Sequence, residues 1–543
     1  MYYSSGTYEA FAHPEKPKDV DKKSAYIIGT GLAGLAAAFY LVRDGQMKGE
    51  HIHLLEKLEL AGGSCDGEKD VTKGFYMRGG REMDNHFEVM WDMFRDVPSI
   101  ETPGVSVLDE YYWLNKHDPN YSLCRASINR GQDAHTDKKF KLDKESAMAL
   151  STLFITPEKD LEGKKISDVL PDSFWSTNFW LYWQTMFAFQ RWSSALEMKR
   201  YLCRYVHHID GLPDFSALRF TKYNQYESMI LPLVKYLESH GVKIEFGMDV
   251  KNVVIEDKGG KKIAKQIVYV KDGKEQSIDL IEDDLVFITN GCCTDTSCYG
   301  DQNTAPDLSG IKNGCGESWD LWKNIAKQAK HGEYGNPDAF CNDVEATNWM
   351  SATVQTSDEE IIKHIINVCK RDPREGKVTT GGIVTVKDST KNWYLSWTIN
   401  RQPQFKAQDK NSVLVWLYAL NTKRAIMLKR QSEIARAKKF AVNGFITSAL
   451  TKVKLITLQK TPATQQPAIC HISTLSSSQE KRATDLRLCL TVQLTLRSSV
   501  SSQKRREIQF SQPNTQSEQV WKACIHFLML TVACLKFGAV NTM

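Results

Sequence analysis

The chain has 543 residues, which is too long for one hydrophobic core, so we expect two or three domains. A hydrophobic fraction of 42% and a charged fraction of 25% are typical of a soluble globular protein, and the lack of a run of about 18 apolar residues predicts no membrane-spanning helix. The net charge of +5 is unevenly divided, because residues 423–543 hold 19 Lys and Arg but 5 Asp and Glu, whereas residues 1–422 carry a net charge of −9.

The first elements of the chain predict a βαβ unit. A polar arm over residues 1–23 is followed by a short apolar stretch at residues 24–28, which is typical of a buried strand. Residues 32–43 are rich in Ala and Leu and predict a helix, which Asp44 and Gly45 would end. Residues 51–55 predict the second strand.

The loop Gly29-Thr30-Gly31-Leu32-Ala33-Gly34 lies between that strand and helix, where a dinucleotide-binding turn must lie. Gly29 permits the tight turn, Gly31 lets the backbone approach a pyrophosphate, and Gly34 lets the helix pack on the strand. Glu56 ends the second strand, where a carboxylate accepts hydrogen bonds from a ribose. We therefore expect a dinucleotide here; a glycine-rich turn without a ligand is the alternative.

Two features favour FAD over NAD as that dinucleotide. The turn Ala61-Gly62-Gly63-Ser64 follows Glu56 closely and would lie beside the cofactor. A later block of helix, strand, meander and strand, over residues 228–291, ends at Thr289-Asn290-Gly291 and resembles the second half of a flavoprotein nucleotide domain. A third contact to FAD is expected near the C-terminus, but no sequence pattern there indicates it.

The remaining elements predict a mixed second region. Residues 170–208 are dense in Trp and Phe and predict helices, whereas residues 319–425 mix one helix signal with several strand signals. We predict an α/β fold: a Rossmann-like FAD-binding domain, discontinuous in sequence, with a mixed α+β substrate domain and a helical, aromatic-rich insertion. The predicted segments are an arm (1–23), FAD-binding domain parts (24–100 and 228–310), substrate-domain parts (101–227 and 311–422) and a basic tail (423–543).

Several segments, taken together, closely resemble the FAD-containing oleate hydratases, also called myosin-cross-reactive antigens. The resemblance runs in order over about residues 1–422. It is carried by Met1-Tyr2-Tyr3-Ser4-Ser5-Gly6, the glycine loop, Arg78-Gly79-Gly80-Arg81-Glu82-Met83, Lys199-Arg200-Tyr201, Tyr223-Asn224-Gln225-Tyr226-Glu227-Ser228, Thr289-Asn290-Gly291, Tyr299-Gly300-Asp301 and Thr398-Ile399-Asn400-Arg401-Gln402-Pro403.

This resemblance implies redox-neutral addition of water to the cis-9 double bond of fatty acids such as oleate and linoleate, which gives 10-hydroxy fatty acids. It implies that Glu82 activates the water, that Tyr201 donates the proton, and that Arg81 orients Glu82 or steadies the flavin. A carboxylate with a reference pKa of about 4.3 and a phenol with one of about 10 suit those tasks. The further implied contacts are to FAD, from Arg78, Gly80, Thr289, Asn290 and Gly291, and to the substrate, from Tyr223, Asn224, Gln225 and Gln402.

Plainer interpretations stay open for each residue. Glu82 beside Arg81 is also typical of a surface ion pair, and Tyr201 of a core tyrosine. Residues 223–228 could cap the helix that follows, and the aromatic residues could form plain core. The rival functions are a flavin-dependent oxidoreductase of the amine oxidase or desaturase type, and an inactive lipid-binding flavoprotein.

The family pattern stops near Thr422. Residues 423–543 contain no Tyr and 2 of the 33 Gly, so we hypothesise a frameshift near codon 422; a genuine basic tail that binds anionic lipid or nucleic acid is the alternative. The 13 cysteines show no metal-ligand spacing, which predicts reduced thiols and no metal. We expect a cytoplasmic homodimer with transient contact at the inner membrane face and no nucleic-acid partner.

Overall fold

The structure is a computed structural model, and it describes residues 13, 15–65, 67–70, 74–77, 82–129, 131–259, 261–289, 317–329, 333–338, 349–389 and 394–420. The described strands are β1 (Ala25–Ile28), β2 (Ile52–Leu55), β3 (Gly67–Asp70), β4 (Gly74–Met77), β5 (Ala126–Ile128), β6 (Gln132–Asp133), β7 (Lys243–Glu245), β8 (Asp249–Lys258), β9 (Lys261–Lys271), β10 (Lys274–Asp279), β11 (Leu285–Ile288), β12 (Trp349–Thr356), β13 (Val384–Val386), β14 (Ser396–Thr398) and β15 (Val413–Leu420). The described α-helices are α1 (Leu32–Arg43), α2 (Glu88–Phe94), α3 (Val107–His117), α4 (Lys144–Ile155), α5 (Asn178–Met186), α6 (Ala195–Tyr205), α7 (Leu231–Ser239), α8 (Glu317–Ala326) and α9 (Glu359–Cys369).

A four-stranded parallel sheet positions the glycine loop. Its order is β11-β1-β2-β7, with Ala25 opposite both Leu285 and Ile52. The apolar run of β1 follows from this central place, because a strand with neighbours on both sides and covered faces needs buried side chains throughout. Ala25 and Ile27 are fully buried accordingly. The helix predicted at residues 32–43 is α1, with those bounds.

A three-stranded antiparallel meander of order β10-β9-β8 packs against one face of that sheet. Val253 and Ile267 of the meander share a hydrophobic core with Ile28, Val286 and Leu321. A turn at Asp272-Gly273 joins β9 to β10, and both residues have positive φ, of 52° and 72°. In sequence, the meander lies between β7 and β11, the two strands that complete the parallel sheet.

The second region is built on a six-stranded mixed sheet of order β12-β15-β14-β13-β5-β6. Only the β13–β5 pairing is parallel among its described pairings. Strands β5 and β6 come from early in the chain, whereas the other four lie between residues 349 and 420. Helix α9 packs its Ile361, Ile362 and Ile365 on this sheet.

These sheets confirm the predicted fold class, an α/β protein whose parallel sheet is discontinuous in sequence. The exact domain boundaries stay predictions. No helix within the described part of the chain is both long and apolar enough to cross a membrane.

Candidate active site

The glycine loop connects β1 to α1 at the edge where the parallel strands end. Gly29 has a φ of 97°, which favours glycine, and its N–H donates to the Leu55 carbonyl at 2.8 Å. Gly31 is the N-terminal cap of α1 and offers no side chain to the first turn. The N–H groups of that turn, including those of Leu32 and Ala33, therefore point out of the helix end without an intrahelical acceptor.

Steric limits show why glycine is needed in the loop. A Cβ on Gly34 would lie 2.0 Å from the Gly29 carbonyl oxygen and 3.0 Å from Thr289 Oγ1. A Cβ on Gly31 would find Gly63 Cα at 3.9 Å as its nearest neighbour. Gly34 thus serves the packing of α1 on β1, whereas Gly31 leaves space above the loop.

Glu56 braces this loop from the end of β2. Its Oε2 accepts from the Thr30 N–H at 2.9 Å and the Thr30 hydroxyl at 2.5 Å, and its Oε1 accepts from the Leu58 N–H at 2.9 Å. A carboxylate has about four acceptor positions, so one is left for a ribose hydroxyl. Glu56, the predicted ribose ligand, therefore also holds the glycine loop in place.

The second glycine turn lies against the first. The Gly62 N–H donates to the Thr30 carbonyl at 2.9 Å, and Gly31 and Gly62 form a parallel β-bridge. Gly63 has a φ of 54° and a Cβ there would lie 2.9 Å from Gly31 Cα; Ser64 follows it in a 3-10 turn. On the opposite side, Thr289 Oγ1 donates to the carbonyls of Ile28 at 2.9 Å and Gly29 at 3.2 Å.

These elements form a narrow cradle of backbone N–H groups with a carboxylate at one side, which fits the pyrophosphate and ribose of a dinucleotide. Five other predicted site residues, Arg78, Gly80, Arg81, Asn290 and Gly291, lie outside the described residues.

Glu82 lies on an extended segment that neighbouring groups fix firmly. Its side chain is 3% exposed. The next residue, Met83, exchanges two backbone hydrogen bonds with Arg219, at 2.8 and 3.0 Å. Asp84 accepts from the His86 N–H at 2.7 Å through Oδ1 and from Trp91 Nε1 at 2.9 Å through its carbonyl. The backbone on the C-terminal side of Glu82 therefore cannot shift without breaking buried hydrogen bonds.

Tyr201 lies on the buried face of α6. Ser194 caps this helix by accepting from the Glu197 N–H at 3.2 Å. Tyr201 is 4% exposed, and its ring meets Phe187 and Phe189 edge-on, with ring centroids 5.5 and 5.1 Å apart. These aromatic contacts pack the ring on two sides.

Tyr205 lies on the same helix as Tyr201 and is near enough to Glu82 to sense its charge. It lies one turn after Tyr201 on the same helix face and also contacts Phe187, with ring centroids 5.4 Å apart. Burial, with the nearby charges of Asp84 and Glu82, raises the pKa of the Tyr205 hydroxyl far above its usual range. The structure thus brings the Glu82 segment and the Tyr201 face of α6 to one buried region.

The aromatic residues of α5 and its surroundings form a packed cluster beside α6. Phe179 stacks on Trp183 with ring centroids 5.4 Å apart, and Trp183 meets Phe187 edge-on at 4.5 Å. Both Trp183 and Phe179 are buried. Their contacts with one another are those of core residues, as the plainer interpretation expected.

The polar segment that contains Tyr223, Asn224 and Gln225 leads into a π-helical turn at Tyr226–Ile230. The Asn224 amide donates to Glu227 Oε2 at 2.9 Å and to the Gln404 carbonyl at 3.1 Å, and its oxygen accepts from the Glu227 N–H at 3.0 Å. Asn224 therefore caps the following turn, and a substrate would have to displace these bonds.

The side chain of Gln402 is likewise occupied by hydrogen bonds within the protein. Its Oε1 accepts from Gln408 Nε2 at 2.8 Å and from the Leu414 N–H at 3.0 Å, and its Nε2 donates to the Asn400 carbonyl at 2.9 Å. These bonds hold the loop before β15. Substrate contact by Asn224 or Gln402 stays a prediction.

Asp84, Tyr205 and His208 lie at the candidate site but were not expected there from the sequence. His208 Nε2 lies 2.8 Å from Asp84 Oδ1, so it fixes the carboxylate two residues after Glu82. The i, i+4 spacing of Tyr201 and Tyr205 and the His207-His208 pair were available signals. Their partners could not be found without the fold, because more than 120 residues separate His208 from Asp84.

Comparisons with known proteins agree on one family. The sequence signature described as the MCRA family matches residues 22–425. The chain is 50% identical to an oleate hydratase of Streptococcus pyogenes serotype M49 (strain NZ131) over 421 residues, which are 77% of this chain and 70% of that protein. It is 28% identical to a linoleate hydratase of Lactiplantibacillus plantarum over 435 residues, 74% of each chain.

Solved structures match more weakly. Cyclohexylamine oxidase from Brevibacterium oxydans IH-35A is 11% identical with a TM-score of 0.44, over 84% of this chain and 89% of that one. Because the signature spans most of the chain and a relative is 50% identical over 421 residues, the chain belongs to the MCRA family.

Proposed function

We propose that this protein is an oleate hydratase, a hydro-lyase that adds water to the cis-9 double bond of unsaturated fatty acids to give 10-hydroxy fatty acids. The observation that carries the proposal is the 50% identity over 421 residues to an oleate hydratase. The second relative, a linoleate hydratase, supports the same substrate class.

Two groups suffice for the chemistry. Tyr201 gives its hydroxyl proton to one alkene carbon, whose new C–H bond uses the π electron pair. A water oxygen bonds to the other carbon, and Glu82 accepts the proton that the water loses. Return of that proton to the Tyr201 oxygen restores both groups, and no electron acceptor is consumed.

The surroundings of both groups support these roles. Glu82 is 3% exposed and Tyr201 is 4% exposed, and a site without bulk water strengthens the charge interactions in the transition state. The Tyr205 hydroxyl keeps its proton because burial and the nearby carboxylates raise its pKa, so Tyr205 does not compete with Glu82 for the proton of the water.

We propose FAD as the dinucleotide in the glycine cradle. Gly29, Gly31, Leu32 and Ala33 would hold the pyrophosphate, and Gly34 would let α1 pack close behind them. Glu56 would lie at the ribose, with Gly62, Gly63, Ser64 and Thr289 beside it. Arg78, Gly80, Asn290 and Gly291 complete the proposed set, with Arg81 orienting Glu82 or the flavin. When bound, the isoalloxazine would supply shape and electrostatic stabilisation of positive charge, since hydration is redox-neutral.

Substrate contacts and assembly belong to the same proposal. Tyr223, Asn224, Gln225 and Gln402 would lie near the fatty-acid carboxylate. The protein would act as a homodimer in the cytoplasm, with transient contact at the inner face of the membrane to collect fatty acid.

Incubation with oleate in H₂¹⁸O, with and without added FAD, tests the activity by mass. A hydratase gives a product heavier by one labelled water and consumes no acceptor. Acceptor-dependent loss of hydrogen would instead identify an oxidoreductase. Retention of unchanged fatty acid would identify a lipid-binding protein without activity.

A further inference from the structure

Three histidines meet at the surface beside the Glu82 segment. His86 follows Asp84, whereas His207 and His208 lie in the 3-10 turn Val206–Gly211 that follows α6. One ring nitrogen from each histidine can be chosen so that the three lie within 4.8 Å of one another. The fold thus brings His86 close to His207 and His208, which lie more than 110 residues later in the sequence. The proposed hydration chemistry uses none of the three.

Two of these imidazoles already bond a carboxylate through one nitrogen. His208 Nε2 lies 2.8 Å from Asp84 Oδ1, so Nδ1 is the nitrogen that could bind a metal ion while this contact is kept; His207 Nε2 lies 3.9 Å from the other oxygen of the same carboxylate. His86 Nδ1 lies 3.0 Å from Glu88 Oε1, which leaves its Nε2. A carboxylate on the far nitrogen fixes the tautomer and orients the ring, and this arrangement is usual for histidines that bind metal ions.

The ligand set selects the type of metal. Three neutral nitrogens suit Zn²⁺ and the neighbouring divalent transition metals, whereas Mg²⁺ and Ca²⁺ prefer oxygen. Bonds of about 2.0–2.1 Å in a tetrahedral site require nitrogens about 3.4 Å apart. His86 and His207 have room to close that gap by side-chain rotation, since both are exposed.

Charge near the cluster is mixed. Arg204 Nη2 donates to the His86 carbonyl at 2.6 Å and brings one positive charge. Asp84, which is buried, and Glu88, which is exposed, offset that charge. A divalent ion at the histidines would therefore face two carboxylates and one guanidinium.

We propose that His86, His207 and His208 bind one divalent transition-metal ion of the Zn²⁺ class, with water as the fourth ligand and with Asp84 and Glu88 as positioning residues. The site is separate from the hydration reaction. Occupancy would tie the segment that carries Glu82 to the end of the helix that carries Tyr201, and so would stiffen the connection between them.

Titration of tag-free full-length protein with Co²⁺ and with Zn²⁺ tests the site. We expect one Co²⁺ with the visible d–d absorption of a tetrahedral nitrogen site, displaced by Zn²⁺, and a rise in melting temperature. His86→Ala combined with His207→Ala keeps the Asp84–His208 bond and should weaken binding about 100-fold, whereas Glu88→Gln should weaken it about tenfold.

His135→Ala is the matched control, because His135 is 82% exposed and lies beside Asp133 as His86 lies beside Glu88. It should bind metal as the unaltered protein does. Equal binding by the double variant, an absence of d–d absorption, or a thiolate charge-transfer band in its place would each overturn the proposal. Circular dichroism of each metal-free variant distinguishes lost ligands from lost folding.

Discussion

At the scale of single residues, the buried region between the Glu82 segment and α6 contains two tyrosines, of which only Tyr201 was expected from the sequence. Glu82→Gln removes the proposed base and Tyr201→Phe removes the proposed acid, while the shape of each side chain is kept. We expect each change to lower kcat by about 10²–10⁴ with little change in KM for oleate. Initial rates of 10-hydroxystearate formation measure this.

Tyr205→Phe is the matched comparison, because Tyr205 occupies the same helix face and contacts the same Phe187. We expect it to lower kcat less than Tyr201→Phe does. If Tyr205→Phe is the more damaging of the two, the role of proton donor moves to Tyr205.

The sequence predicted the positions of individual residues in the fold where a local rule fixes the geometry. Gly29, Gly31, Gly34 and Glu56 could be placed at the turn from β1 to α1 and at the end of β2 from their spacing, whereas their contact with a dinucleotide stays a prediction. Asp84 and His208 could not, since their contact depends on the packing of α6 against a segment over 100 residues earlier. The capping role of Asn224 was among the interpretations left open, and the contacts favour it.

At the scale of elements, glycine has two different roles in the turn from β1 to α1: Gly31 leaves space for a ligand, and Gly34 allows close packing. Gly31→Ala adds a Cβ with 3.9 Å to its nearest neighbour, so the fold should survive with a cost of at most about 1 kcal/mol at the helix cap. The added methyl group would occupy the approach to the pyrophosphate, and we expect flavin affinity to fall at least about tenfold. Fluorescence titration with FAD measures this.

Gly34→Ala should act differently, because its Cβ would lie 2.0 Å from the Gly29 oxygen. We expect a loss of stability of about 1–3 kcal/mol, seen as a lower melting temperature without ligand. Equal melting temperatures for the two variants would contradict this division between packing and binding.

Helix α9 makes stability depend on pH. Burial lowers the pKa of His364, and within the described residues its Nε2 has no hydrogen-bond partner. The unfolded chain therefore binds a proton more readily, and stability present above the unfolded pKa of about 6.5 is lost as the pH falls through the lower folded pKa. We expect His364→Gln to reduce the drop in melting temperature between pH 7 and pH 5.

The exposed His135 gives the control here also, and its replacement by Gln should leave the pH profile unchanged. His53 and His207, whose pKa values are also lowered by burial, would keep part of the slope. A profile identical to that of the unaltered protein would show that His364 does not contribute.

At the scale of the whole molecule, the sequence predicted those sheets whose strands are indicated by local sequence patterns. The strands of the parallel sheet and the meander could be found because apolar runs and glycine turns bound them. The pairing of β13 with β5 could not, since the two strands lie over 250 residues apart and neither carries a signal of its partner.

The change of composition near Thr422 has a measurable consequence for flavin binding. The family signature ends at residue 425, and the matched region covers 70% of the streptococcal relative. If a part of the flavin site normally comes from the remaining length, we expect the purified chain to hold less than one flavin per molecule. The ratio of flavin to protein absorbance after gel filtration measures this, with the streptococcal protein prepared alongside.

One bound flavin per chain would contradict that expectation. Resequencing of the gene around codon 422 tests the frameshift hypothesis separately, and a single intact frame would exclude it.

The position of β1 in the centre of the parallel sheet also has a consequence for synthesis of the protein. Its partner β11 and the Thr289 bond to Gly29 lie about 260 residues later. At translation speeds of about 5–20 residues per second, one edge of β1 stays uncovered on the ribosome for roughly 13–50 s. The nascent chain must therefore keep an apolar strand edge from pairing wrongly for far longer than a hairpin takes to form.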